Sequence, residues 1–142
     1  MSSTDAVTDP VAEVPAETVT SHTVPEKKPY KQRFSLEKRI SKALSVLKAA
    51  EPLIPVICEK ASGSKLEALK SECFKAAPTL TLGTFLAIIR QRLQLKEDEC
   101  IFLFAQNSIL PSTKTFEEAH AEFKDEDGFL YLTYQEESVY GL

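Results

Sequence analysis

The sequence predicts an α+β fold, a mixed β-sheet curled around one central helix, with an additional helix or helices on its N-terminal side. Three observations predict it. Apolar residues recur at helical spacing over 35–50 and 82–94. Short β-branched and aromatic runs occupy 54–60, 100–105 and 129–134. The segments follow one another as helix, strand, possible strand, helix, strand, short helix, strand. The 142 residues are one domain's worth of chain.

In the first helix Leu36, Ile40, Leu44 and Leu47 set the repeat, with Ala43 and Ala50 beside them. Ser35 is placed to cap it, Pro52 and Pro55 to end it, and Lys38, Arg39, Lys42 and Lys48 to ride the opposite face. Ile54-Pro55-Val56-Ile57-Cys58-Glu59-Lys60 is a strand with its proline near the start, and Ser62-Gly63-Ser64 a turn. Residues 66–77 stay ambiguous. Leu66, Leu69, Cys73 and Ala76 fit a helix, whereas pairing back across the Gly63 turn would make the later part a strand.

Leu82, Phe85, Leu86, Ile89 and Leu93 form one apolar stripe behind a Thr81 cap, with Arg90 and Arg92 at the C-terminal end where the helix dipole favours cations. Cys100 opens a buried strand through Ala105. Thr115 and Glu118 make a capping box for a short helix through about Phe123. Asp125-Glu126-Asp127-Gly128 is a turn. In the last strand Phe129, Tyr131 and Thr133 alternate with Leu130, Leu132 and Tyr134. This order matches a ubiquitin-like β-grasp roll.

Charge divides the chain in three. Residues 1–26 carry five carboxylates and no Lys or Arg, residues 27–96 a net +10, and residues 97–142 a net −9. The first segment has no aromatic residue and several prolines, too little apolar area to offset the entropy of ordering it. An acidic disordered leader over 1–29 is therefore expected, followed by one domain over 30–142 with a flexible tail at 135–142. The basic block could contact phosphate, attract acidic peptides, or simply be solvated helix faces. No aromatic RNA-binding motif, zinc-finger spacing or Gly-rich loop supports a nucleic-acid partner.

The same inventory excludes most chemistry. No run of about 18 apolar residues exists, and the first residues lack the basic start and apolar core of a secretory signal. Three cysteines argue against a disulfide framework and for a reducing, intracellular setting. Cys58 and Cys100 are expected in the core, with Cys73 partly exposed. Nothing in the spacing supports a Cys73–His120 dyad, a Cys/His metal site, a calcium loop at 125–128 or a phosphate loop. No enzyme, cofactor or metal is indicated.

The final residues, Gln135 to Leu142, form a short tail with glycine at 141. A frayed end is one reading. A conjugation tail is the other, because a glycine without Cβ can thread a narrow enzyme channel.

Several motifs carry a specific resemblance. They are Phe34 with Glu37-Lys38-Arg39, Ile54-Pro55-Val56-Ile57 with Glu59-Lys60, and Ile88-Ile89-Arg90-Gln91-Arg92-Leu93. Asp127-Gly128-Phe129-Leu130-Tyr131 and Glu137-Ser138-Val139-Tyr140-Gly141-Leu142 complete them. Over about residues 30–142 the chain resembles the ubiquitin-like autophagy modifiers, particularly their GABARAP branch.

The resemblance implies a substrate of conjugation, not a catalyst. A cysteine protease would remove Leu142. Activating and conjugating enzymes would pass the Gly141 carboxyl to phosphatidylethanolamine, moving the protein from cytoplasm to autophagosomal membrane. It also implies a groove for receptors with aromatic-x-x-aliphatic motifs, which add a strand to the sheet edge. Lys42, Val46, Pro55, Cys73, Lys75 and Phe129 would form the first pocket. Phe74, Ala76, Ala77, Leu80, Phe85 and Ile88 would form the second, and Arg92 would face acidic partner residues.

Ser71-Glu72-Cys73-Phe74-Lys75-Ala76-Ala77-Pro78 departs from the family pattern. Ser71, Cys73 and Leu53 stand at usual basic positions, Lys75 replaces a pocket leucine, and the proline comes one residue late. Fewer cations should weaken selection for acidic flanks, and the small Ala76 and Ala77 should alter the second pocket. The alternative is an unconjugated β-grasp scaffold that binds peptides or microtubules through its basic surface.

Overall fold

The computed structural model describes residues 28–136. The expected leader up to residue 27, and the tail from 137 with Gly141 and Leu142, lie outside the described residues. Nine elements follow in order: α1 (Tyr30–Arg33), α2 (Leu36–Leu47), β1 (Ile54–Lys60), β2 (Cys73–Ala76), α3 (Leu82–Leu93), β3 (Ile101–Ala105), β4 (Ser108–Ile109), α4 (Phe116–Phe123) and β5 (Leu130–Glu136).

The strands form one sheet in the order β2-β1-β5-β3-β4. The central β1 and β5 are parallel, with Val56 opposite Leu130 and Lys60 opposite Tyr134. The other pairings are antiparallel, so the sheet is mixed as expected. Because side chains alternate along a strand, each face gathers its own core. Leu130, Leu132 and Tyr134 join Ile54, Val56, Phe74 and Ala76 on the face covered by α3. Phe74, Phe85 and Phe116 stack edge to face there, with neighbouring ring centroids 5.1 Å apart. The opposite face buries a smaller group, Tyr30, Ala43, Ile57 and Phe129, under α1 and α2.

The caps fall where the sequence places them. Ser35 Oγ accepts from the Lys38 N–H, Thr81 Oγ1 from Thr84, and Thr115 with Glu118 closes a reciprocal box. Residues 66–77 resolve in favour of a strand at 73–76, since each of its four residues finds a partner on β1.

Five expectations are corrected. First, α2 stops at Leu47, because the Ala49 and Leu53 amides both turn back to the Val46 carbonyl. Second, its buried face is Ala43 and Val46, while Leu36, Ile40 and Leu44 are exposed. Gly128 explains the choice: a Cβ there would lie 3.1 Å from that of Ala43, so backbone and helix meet at two small residues. The leucine repeat is thereby turned to one side. Third, Cys100 precedes β3 and is exposed, whereas Cys58 is buried. Fourth, Gln135 and Glu136 belong to β5 rather than to a tail. Fifth, the β3–β4 hairpin was not foreseen. It turns through Gln106 and Asn107, at φ 51° and 69°, without the glycine that announces such a turn.

Gly128 itself has φ +94°. Gly128→Ala therefore combines a strained backbone with a collision against α2. It should cost about 1–3 kcal/mol in urea unfolding, with α2 amides losing hydrogen-exchange protection first.

Candidate peptide-docking site

β2 lies at the edge of the sheet, so one side of its backbone is unpaired with any strand. Such an edge accepts an extended peptide by ordinary ladder bonds. Its four residues alternate: Phe74 and Ala76 point into the α3-side core, while Cys73 and Lys75 lie on the α2 side, half-buried and exposed.

On the α2 side, register sets Pro55 opposite Lys75 and Ile57 opposite Cys73. Val46, Pro55 and Phe129 are buried there, and Lys42 is exposed on α2. Burial pushes the Cys73 thiol above its ordinary pKa, and Lys42 is near enough to oppose the shift. The thiol therefore stays protonated at neutral pH. The residues expected in the first pocket thus share the α2 side of the sheet, where Lys42 and Lys75 are exposed.

The other set is largely interior. Phe74, Ala76, Leu80 and Phe85 are core side chains, and Ala77 and Ile88 keep partial exposure. Arg92 lies beside them, its guanidinium 5.6 Å from the Phe74 ring centroid, within cation–π range.

Residues outside the expected list hold this edge in shape. Arg39 Nη1 donates to Asp127 Oδ2 at 2.7 Å, and the Tyr131 hydroxyl donates to the same oxygen at 2.6 Å. The Phe129 amide donates to the other carboxylate oxygen. Asp127 is fully buried and Arg39 nearly so, although Arg39 was expected on the outer face. Burial, then the Asp127 hydrogen bond, raises the Tyr131 pKa. Arg33 pairs with Glu72, just before β2, at 2.5 Å, and the Tyr30 amide donates to Glu59 on β1. Lys31 pairs with Asp125. The 125–128 turn is therefore a structural anchor rather than a solvated loop. Asp-Gly was a turn signal, but the sequence gives none for the partner 88 residues away.

The root of the tail is also fixed. Glu136 accepts from Ser64 Oγ at 2.6 Å and from the Lys65 amide at 3.0 Å, and these bonds hold its carboxyl below the usual range. His120 Nε2 lies 2.8 Å from the Gly128 carbonyl. No cluster of metal-ligating side chains occurs among the described residues, and no described helix is long and apolar enough to cross a membrane.

The fold is that of a ubiquitin-like modifier, a roll with one sheet edge open and lysines beside it. The family model for "Autophagy protein Atg8 ubiquitin like" matches residues 38–141. Autophagy-related protein 8 of Schizosaccharomyces pombe is 35% identical over 112 residues, covering 79% of this chain and 93% of that protein. Autophagy-related protein 8B of Oryza sativa subsp. japonica is 34% identical over 116 residues, 82% and 98% of the two chains. The crystal structure of Trypanosoma brucei ATG8 superposes with a TM-score of 0.73 at 33% identity, covering 80% of this chain and 97% of that one. The chain belongs to the Atg8 family of ubiquitin-like autophagy proteins. It is a modifier of the autophagy pathway rather than an enzyme, and its partners and location are those of that pathway in general.

Asp127→Ala leaves Arg39 facing a buried space without a counter-charge. It should cost about 3–5 kcal/mol, read as a lower urea midpoint. Hydrogen exchange should accelerate in α2 before α3.

Proposed function

We propose that this protein is conjugated through Gly141 to phosphatidylethanolamine and then recruits receptors on autophagosomal membranes. A cysteine protease of the pathway removes whatever follows Gly141, which is Leu142 in this sequence. The activating enzyme adenylates the exposed carboxyl, a thioester passes it to the conjugating enzyme, and an amide bond to the lipid amine forms. The observation that carries the reading is the Glu-Ser-Val-Tyr-Gly run at 137–141, with the family match ending at Gly141. Glu136 supports it: its clamp fixes where the run departs, and five residues extend about 17 Å at most.

Receptor docking follows the edge strand. Peptides with an aromatic-x-x-aliphatic motif add to β2, the aromatic residue entering beside Lys42, Val46, Pro55, Cys73, Lys75 and Phe129. The aliphatic residue meets Ala77 and Ile88 over the closed core of Phe74, Ala76, Leu80 and Phe85, and Arg92 faces acidic groups. The protein is then cytoplasmic before conjugation and membrane-bound after it.

Gly141→Ala should abolish the lipidated species in cells, while thermal melting of the purified protein stays unchanged. Mass spectrometry of the wild type should find a form lacking Leu142 and carrying phosphatidylethanolamine. Undiminished membrane association of the variant, with salt-sensitive binding through the lysines, would favour the unconjugated scaffold instead.

Lys75→Leu should restore an apolar wall to the first pocket. Calorimetry with a peptide panel should show neutral-flanked motifs gaining about 1 kcal/mol, roughly fivefold in affinity. Acid-flanked motifs should gain less, since a cation is lost.

A further inference from the structure

The exposed apolar face of α2 has no role in the groove or the tail. Phe34, Leu36, Ile40 and Leu44 are 38%, 39%, 39% and 42% exposed. The last three lie one turn apart on a single helix face, and Phe34 leads into them. The same stretch is strongly basic: residues 28–48 hold seven Lys or Arg side chains and one carboxylate, Glu37. Arg33, Arg39 and Lys31 are paired with Glu72, Asp127 and Asp125. Lys38, Lys42 and Lys48 make no ion pair among the described residues.

We propose that the chain's own first 27 residues fold back over α2, setting valines on this stripe and carboxylates against Lys38 and Lys48, away from the Lys42 rim of the groove. The segment has the matching chemistry. It carries Asp5, Asp9, Glu13, Glu17 and Glu26 against one cation, Lys27, and its β-branched apolar residues are valines at 7, 11, 14, 19 and 24. Pro10, Pro15 and Pro25 exclude a continuous helix, so it lies along α2 in extended form. It joins the described fold at Lys28, six residues before Phe34. That tether supplies an effective concentration on the order of 1 mM, enough for a contact too weak to hold between separate molecules. Four partly exposed side chains fall well short of the ~800 Å² per partner of a stable interface, which argues against a second copy. The strap covers the outer side of α2 and leaves the free edge of β2 open.

The test uses the full chain with a nitroxide at Thr8→Cys, in a Cys73→Ser, Cys100→Ser background; Cys58 is buried and does not take the label. Twenty residues separate position 8 from Lys28, a random-coil distance of about 25 Å. The proposal expects amide signals of residues 34–48 to be bleached selectively. Bleaching should disappear in 1 M salt, where the Debye length is ~3 Å. It should also disappear in Ile40→Ser/Leu44→Ser and in Asp5→Asn/Asp9→Asn/Glu13→Gln/Glu17→Gln, with helix content checked by circular dichroism. Both sets alter exposed or leader positions, and the described core contains none of them. Bleaching spread evenly over the surface, or surviving both sets of substitutions, would overturn the proposal. So would bleaching that grows with protein concentration, which would assign the stripe to a second copy. Bleaching that needs vesicles of phosphatidylcholine and phosphatidylserine would assign it to lipid and overturn it equally.

Discussion

Arg39 reaches from α2 to Asp127 at the start of the last strand, and both groups are withdrawn from water. A buried charge is tolerable only when its partner and its remaining hydrogen bonds are all in place. Asp127 meets that condition with Arg39, Tyr131 and the Phe129 amide. The pair fixes α2 on the outer face of the sheet, and the position of α2 decides much else. It buries Val46, presents Lys42 toward the edge strand and leaves a row of leucines in water.

The two faces of the sheet are built on different terms. The α3 face is apolar and continuous, held by packing of Phe74, Phe85 and Phe116. The α2 face has a smaller apolar cluster, Tyr30, Ala43, Ile57 and Phe129, and adds ion pairs from Lys31, Arg33 and Arg39. The edge strand β2 draws on both, because its successive residues point to opposite faces. A change to one face therefore alters one half of the proposed docking surface and leaves the other intact.

What could be read from the sequence was what local rules encode. The α3 stripe, the helix caps and the alternation of β5 depend on neighbours a few residues apart, and each lies where those neighbours place it. The α2 stripe was found but assigned to the wrong side, because periodicity marks apolar positions and cannot say which side the sheet will occupy. That was set by Gly128, 85 residues beyond Ala43. β2 was ambiguous because its helix-compatible spacing competes with a pairing that exists only in the folded sheet. The β3–β4 turn lacked its glycine, and the Arg39–Asp127 pair left no local trace. Of the candidate site, the residues brought by resemblance lie on β2 and the elements around it, but which of them the core covers, Phe74, Ala76, Leu80 and Phe85, is set by tertiary packing that no local pattern encodes.

Lys75 has a second consequence. An open strand edge is a template for like strands, and chains exposing one are prone to stack into fibrils. β2 is four residues long, and its exposed position carries a charge. Copies aligned along that edge would bring ammonium groups together at every repeat. The residue that would set selectivity in the proposed groove therefore also keeps the molecules apart.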